Sequence, residues 1–178
     1  MLLAFFLVMF SLRFDPNAIE FWAAQFGTSA ATKQLEEKIA PRAKKKGYLD
    51  KADFVALCEW NSKRPRALYR ANADDFIRAV THTSFATKNE RLRIEILTLL
   101  KGVSMPMGSV LLHFCSADPY PILDRMSLWS VQATSPSVYH FEFWWEYVQY
   151  TRKLAKEAHV TMRVLDRALW QYAASNQA

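Results

Sequence analysis

Residues 97 to 112 read Leu97-Thr-Leu-Leu-Lys-Gly-Val-Ser-Met-Pro-Met-Gly-Ser-Val-Leu-Leu112. Apolar residues recur on each side of Gly102-Val103 at helical spacing, and glycine reverses a chain between two helices at the least steric cost. This pattern predicts two helices joined by a tight hairpin, within residues 92 to 114. The N–H groups that open the second helix can then converge on one phosphate, where the helix dipole adds attraction. Such a contact positions DNA without reading its sequence.

Outward from this segment the same period continues. Asp15-Pro16 predicts a short helix through Phe26 with Ile19, Trp22, Ala23 and Phe26 on its apolar face, since Asp caps well and Pro fits a first turn. A second helix is expected from Lys33 to about Ala40, stopping before Pro41. Asp50 is expected to cap a third, carrying Phe54, Leu57, Cys58 and Trp60 and ending in Lys63-Arg64-Pro65-Arg66. Asn72 reads as the start of a fourth, with Phe76, Ile77 and Val80 inward. Thr87 and Glu90 have the spacing of a capping box, placing a fifth from about residue 88 to Leu100. Asp124 can cap Arg125 to Val131. Ser135-Pro136 reads as the start of the long aromatic stretch Val138 to Glu157, and Thr161 as the cap of a last helix. Aromatic residues at this spacing read first as core.

The composition agrees. A chain of 178 residues, 51% hydrophobic with six tryptophans and four glycines, can bury a core and has little material for hairpins. The expected fold is all-α, one helical domain over residues 1–178. The net charge of +6 and pI near 9.4 favour a polyanionic partner. Cys58 and Cys115 are too few for a thiolate cluster and are expected to be reduced core thiols. His82, His113, His140 and His159 share no ligand spacing with each other or with the cysteines, so neither metal nor cofactor is expected. The apolar opening Met1 to Phe10 is too short to span a membrane. Residues 1–12 are expected to be disordered or a start placed too early, with Met9 the true one; a signal peptide is the other reading. A cytoplasmic location follows from the first two.

At Leu97, Leu100, Gly102, Val103, Leu111 and Leu112 the chain resembles the helix-hairpin-helix DNA glycosylase superfamily, whose hairpin runs L-x-x-L-P-G-V-G-x-x-T-A. The stretch Tyr120-Pro-Ile-Leu-Asp124 is similar to the F-P-I-L-D loop of adenine-specific glycosylases of the MutY type, and the spacing from Gly102 to Asp124 agrees without a gap. A fainter likeness continues to Leu165–Ala173. Lys101 stands for the usual proline, Ser104 for the second glycine and Gly108 for the alanine. Taken whole, the chain also looks like a group of small bacterial proteins, a likeness that adds no function.

The resemblance implies a duplex-DNA partner held by Lys101, Gly102, Val103, Ser104, Met107 and Gly108, with Lys63 and Arg64 as backbone contacts, and Asp124 as the catalytic carboxylate. Pro106 stands about where bifunctional members carry a nucleophilic lysine, so the implied enzyme is a monofunctional N-glycosylase. Two other readings stay open: a non-catalytic nucleic-acid-binding domain, and a helical protein-interaction domain in which the hairpin is an αα turn and Asp124 only a cap.

Overall fold

In the computed structural model, residues 10–177 are described, and among them there is no β-strand; the protein is all-α. The expectations for residues 1–9 lie outside the described residues. The chain divides into two compact units, Gly27–Leu123 and the remainder, Phe26 and before together with Asp124 onward.

The unit Gly27–Leu123 is organised around α8, Met105–Cys115, in which Met105, Met107 to Leu112, Phe114 and Cys115 are all buried. A helix apolar on every side must be surrounded. Around it lie α2 (Ala30–Gln34), α3 (Ala40–Lys46), α4 (Lys51–Asn61), α5 (Arg66–Arg70), α6 (Asp74–Ala86) and α7 (Glu90–Glu95), the last extended by a 3₁₀ turn, Ile96–Leu99. Phe54, Leu57, Cys58, Ile94 and Leu97 are fully buried, each side chain contributing about 1.5–3 kcal/mol. A Cβ on Gly108 would stand 3.0 Å from Ile94 Cδ1, so the hydrogen at this position lets α7 approach α8.

Several local expectations are corrected. Pro41 does not stop the second helix, which begins three residues earlier behind the Ser29 cap and runs to Lys46. The chain widens into a π turn at Leu35–Ile39, where the Ala40 N–H donates to Leu35 O, and a wide turn relieves the ring–carbonyl clash that proline otherwise creates. Asp50 caps α4 as expected, accepting from Asp53 N–H at 3.0 Å, but Trp60 is only partly buried. The α6 cap position is Ala73, and Phe76 faces outward at 44% exposure. Asn89 caps α7, accepting from Leu92 N–H at 2.9 Å, in place of Thr87.

Glu90 is engaged elsewhere: its Oε2 accepts the Tyr120 hydroxyl at 2.6 Å and faces Arg93 Nε at 3.4 Å. Arg93 is buried, and its guanidinium donates to the carbonyls of Ser84 (3.4 Å), Phe85 (3.3 Å) and Thr87 at the end of α6. Ser84 Oγ donates back to Arg93 O at 2.7 Å. One side chain thus supplies the donors that the last turn of α6 lacks.

In the other unit the segment Ser11–Arg13 pairs with the end of α9 (Arg125–Ser130), Ser11 N–H donating to Val131 O at 3.0 Å and Arg13 N–H to Ser130 O at 2.9 Å. A 3₁₀ turn at Pro16–Ala18, capped by Asp15, leads into α1 (Ile19–Ala24). The α1 and α9 helices pack on α11 (Met162–Asn176), with Thr161 capping as expected. The aromatic stretch is α10, Phe141–Glu157; it begins behind His140, five residues after Ser135-Pro136, and Val138 is exposed. Trp144 and Tyr147 are fully buried, as the core reading of the stripe requires, whereas Phe14, Trp22, Trp129 and Tyr172 pack ring against ring but stay half-buried, and Trp170 of α11 is 40% exposed. No helix of the described residues is long and apolar enough to cross a membrane.

Candidate functional site

The quoted segment folds into a four-residue turn, Leu100 to Val103, closed by the Val103 N–H on Leu100 O at 3.0 Å. Gly102 occupies the third position with φ 84°, a left-handed conformation that a side chain strains. Space forbids a side chain as well: a Cβ would lie 2.9 Å from the Tyr69 ring and 3.1 Å from Leu68 Cβ.

Asn72 fixes the same turn. Its Oδ1 accepts from Lys101 N–H at 2.8 Å and its Nδ2 donates to Lys101 O at 3.1 Å, while Nδ2 also reaches Tyr69 O at 3.0 Å and Leu68 O at 3.1 Å. The buried amide therefore takes the place of a neighbouring backbone, locking the Lys101 peptide to the end of α5. This pairing was illegible as sequence, where Asn72 read as a helix start.

The turn delivers the chain to α8 with Lys101 and Ser104 exposed. Ser104 stands in the cap position, yet its side chain accepts no capping bond, unlike Ser29, Asp50, Asn89, Asp124 and Thr161. A first helical turn leaves its N–H groups unused by the helix; with Pro106 lacking one, the donors are those of Met105 and Met107. The Val103 and Met107 side chains and Gly108 face the core, and the N–H groups of Val103 and Gly108 are spent on Leu100 O and Ser104 O at 3.0 and 2.8 Å, so of these three positions only Met107 offers its backbone N–H.

Lys63 and Arg64 are exposed in the turn before α5 and make no ion pair among the described residues, whereas Arg70 and Arg66 are drawn to Glu59 Oε1 at 2.8 and 3.8 Å. Leu68 and Leu99, 50% and 60% exposed, flank the turn on its α5 and α7 sides.

Asp124, in the other unit, is the cap of α9, as expected from its place after an apolar loop. Oδ1 accepts Ser127 N–H at 2.8 Å and Oδ2 the Ser127 hydroxyl at 3.1 Å. Burial lifts its carboxyl to about 6, with the nearby Asp166 carboxylate adding to the rise and the bonds from Ser127 and Met126 opposing it. Asp166 is buried and paired with Arg163 at 2.8 Å. Tyr147 is fully buried on α10, and its hydroxyl is held well above the usual phenol range by burial and by the Asp124 and Asp166 carboxylates. Leu123, the residue before Asp124, is pinned within its own unit by donating its N–H to Ser109 Oγ at 2.8 Å. The sequence reading missed Ser127, although it stands at capping spacing three residues after Asp124; Tyr147 and Asp166 it could not reach, because no spacing rule links helices that meet only after folding.

Such a carboxyl is ionised at neutral pH and within reach of protonation, so it can stabilise a cation or accept a proton from water. Both cysteines are buried and free of disulfide, with thiols pushed above the usual range by burial. Among the described residues no group of three or more His, Cys, Asp or Glu is placed to hold a metal ion. No family model matches the chain, and no curated protein or solved structure matches it.

Proposed function

We propose that this protein binds duplex DNA through the turn at residues 101–104 and the first turn of α8, and acts as a monofunctional N-glycosylase with Asp124 as its carboxylate. The observation that carries the reading is the turn itself: a left-handed Gly102 with no room for a side chain, clamped by Asn72, opening onto a helix start that Ser104 leaves uncapped. Rigid backbone donors at a helix N-terminus suit a phosphate oxygen, and the exposed Lys63, Arg64 and Lys101 add sequence-independent attraction.

In the proposed reaction the bond between the sugar C1′ and the base nitrogen breaks with its electron pair leaving on the base. Positive charge builds on the deoxyribose, which the ionised Asp124 stabilises. Water then adds at C1′ and loses its proton to the carboxylate or to solvent. A target base in a duplex must first be swung out of the stack.

The test is affinity for a duplex carrying a cationic abasic-site analogue against the same duplex unmodified, each at two salt concentrations. A preference for the analogue that disappears in Asp124→Asn supports the glycosylase. Equal, salt-sensitive binding to both leaves a DNA-binding scaffold without that chemistry. The exposed Leu68 and Leu99 beside the turn favour a second reading, a protein-interaction surface, which failure to bind either duplex would leave standing.

A further inference from the structure

The loop Tyr120–Leu123 is neither helix nor strand, yet Tyr120, Ile122 and Leu123 are buried. Irregular backbone in a core must find partners for its N–H and C=O groups outside itself. Two of them come from one face of α8. Ser109 Oγ accepts the Leu123 N–H at 2.8 Å, and His113 Nδ1 meets Tyr120 O at 2.7 Å; a carbonyl oxygen only accepts, so Nδ1 is the donor. Ser109 and His113 stand one helical turn apart, and they take the two ends of the loop. Ser109 is itself oriented: it is fully buried, and its hydroxyl hydrogen goes to Pro106 O at 2.6 Å, which leaves the oxygen's lone pairs to Leu123. The helix whose first turn offers the Met105 and Met107 N–H groups therefore also grips the last residue before Asp124, and every atom of that grip lies within Gly27–Leu123.

We propose that Ser109 and His113 are positioning residues: by clamping both ends of the loop to α8 they fix the peptide bond from which Asp124 departs, so that the root of the carboxylate is set by the same helix that grips phosphate. The proposal rests on Asp124 being the working carboxylate and on the phosphate grip of α8. Stabilising charge at one carbon demands a carboxylate held in place, and a carboxylate is held no better than the backbone that carries it. Neither clamp residue touches DNA or the reacting atoms. Their effect passes through the loop alone.

The experiment measures, in the full chain at one salt concentration, the ratio of affinities for the duplex with the cationic abasic-site analogue and for the unmodified duplex. The ratio cancels any loss of phosphate grip common to the two. Ser109→Ala and His113→Leu are each expected to lower it by about tenfold or more, since about 1 Å of misplacement costs on the order of a hundredfold. His113→Asn, whose side-chain amide can set an N–H where Nδ1 stood, is expected to restore most of the ratio. Amide hydrogen exchange at Leu123 reads the clamp without DNA, and in Ser109→Ala it is expected to quicken about five- to tenfold. A merely structural pair would lower the urea midpoint and leave the ratio where it was.

An unchanged ratio in Ser109→Ala and His113→Leu, or an unchanged exchange rate at Leu123 in Ser109→Ala, overturns the proposal and leaves the glycosylase reading standing. Should Ser109→Ala fail to fold, the contrast between His113→Leu and His113→Asn carries the same test. No preference for the analogue in the unaltered chain strikes the functional reading, and the proposal falls with it.

Discussion

Asp124→Asn should make the protein more stable at neutral pH while removing its proposed chemistry. Folding raises the Asp124 carboxyl from 3.8 to about 6, so the folded chain holds that proton more tightly than the unfolded chain. Below pH 3.8 both states are protonated and the group is neutral to stability. Between that value and about 6 the unfolded chain ionises first, and stability falls as pH rises. Above it the loss is complete, about 3 kcal/mol from a rise of roughly two units at 1.36 kcal/mol each. Asparagine carries no charge, keeps the acceptor for Ser127 N–H and is as good a cap as aspartate, but it forfeits the acceptor for the Ser127 hydroxyl, at about 1 kcal/mol. The variant should gain about 2 kcal/mol at pH 7.5, roughly 4–8 °C in Tm for a chain of this length. The gain should vanish or reverse near pH 4. Urea unfolding of both proteins at pH 4, 6 and 7.5 measures the difference, with every other titrating group common to the two. A difference independent of pH would refute the reasoning.

Gly102→Ala should cost about 2 kcal/mol or more, from a positive φ combined with overpacking against Tyr69, and circular-dichroism melts would register it. Asn72→Asp should cost more than Asn72→Ala in urea unfolding, since a carboxylate cannot donate to Lys101 O, Tyr69 O or Leu68 O and repels all three. Arg93→Met should lose about 3 kcal/mol or more, because it strands the carbonyls of Ser84, Phe85 and Thr87 and the Glu90 charge; thermal unfolding reads this directly. Lys63→Ala and Arg64→Ala should each lower the slope of log affinity for duplex DNA against log salt by about 0.9, with stability unchanged, and fluorescence anisotropy across a salt series is the check.

The helix class was legible because α8 is a continuous apolar run behind a glycine turn and the stripes of α4, α10 and α11 keep their apolar period, and because Asp15, Asp50, Asp124 and Thr161 act through contacts within four residues. Helix starts that depend on distant partners were not. Glu90 has the spacing of a capping box, but a hydroxyl from Tyr120 and a buried Arg93 compete for its carboxylate, leaving Asn89 to cap. Ser135-Pro136 has the chemistry of a helix start, yet Gln132 takes a positive φ just before it and the helix waits until Phe141. The candidate turn was visible through Gly102, and Asp124 as a cap through its place after an apolar loop. Asn72 and Tyr147 became readable only with the helices packed, because Asn72 holds a residue 29 positions away and Tyr147 lies near the Asp124 and Asp166 carboxylates of other helices.

The grip of Asn72 on Lys101 also bears on how portable the turn is. A peptide cut to residues 90–115 would carry both of its helical arms and the glycine, but not the amide that fixes the Lys101 peptide, nor the ring that walls off Gly102. The contact closes a loop of 29 residues, so during folding the turn can take its final shape only after α5 has come back to meet it. Transplanted into another scaffold, the segment would need α5 to travel with it.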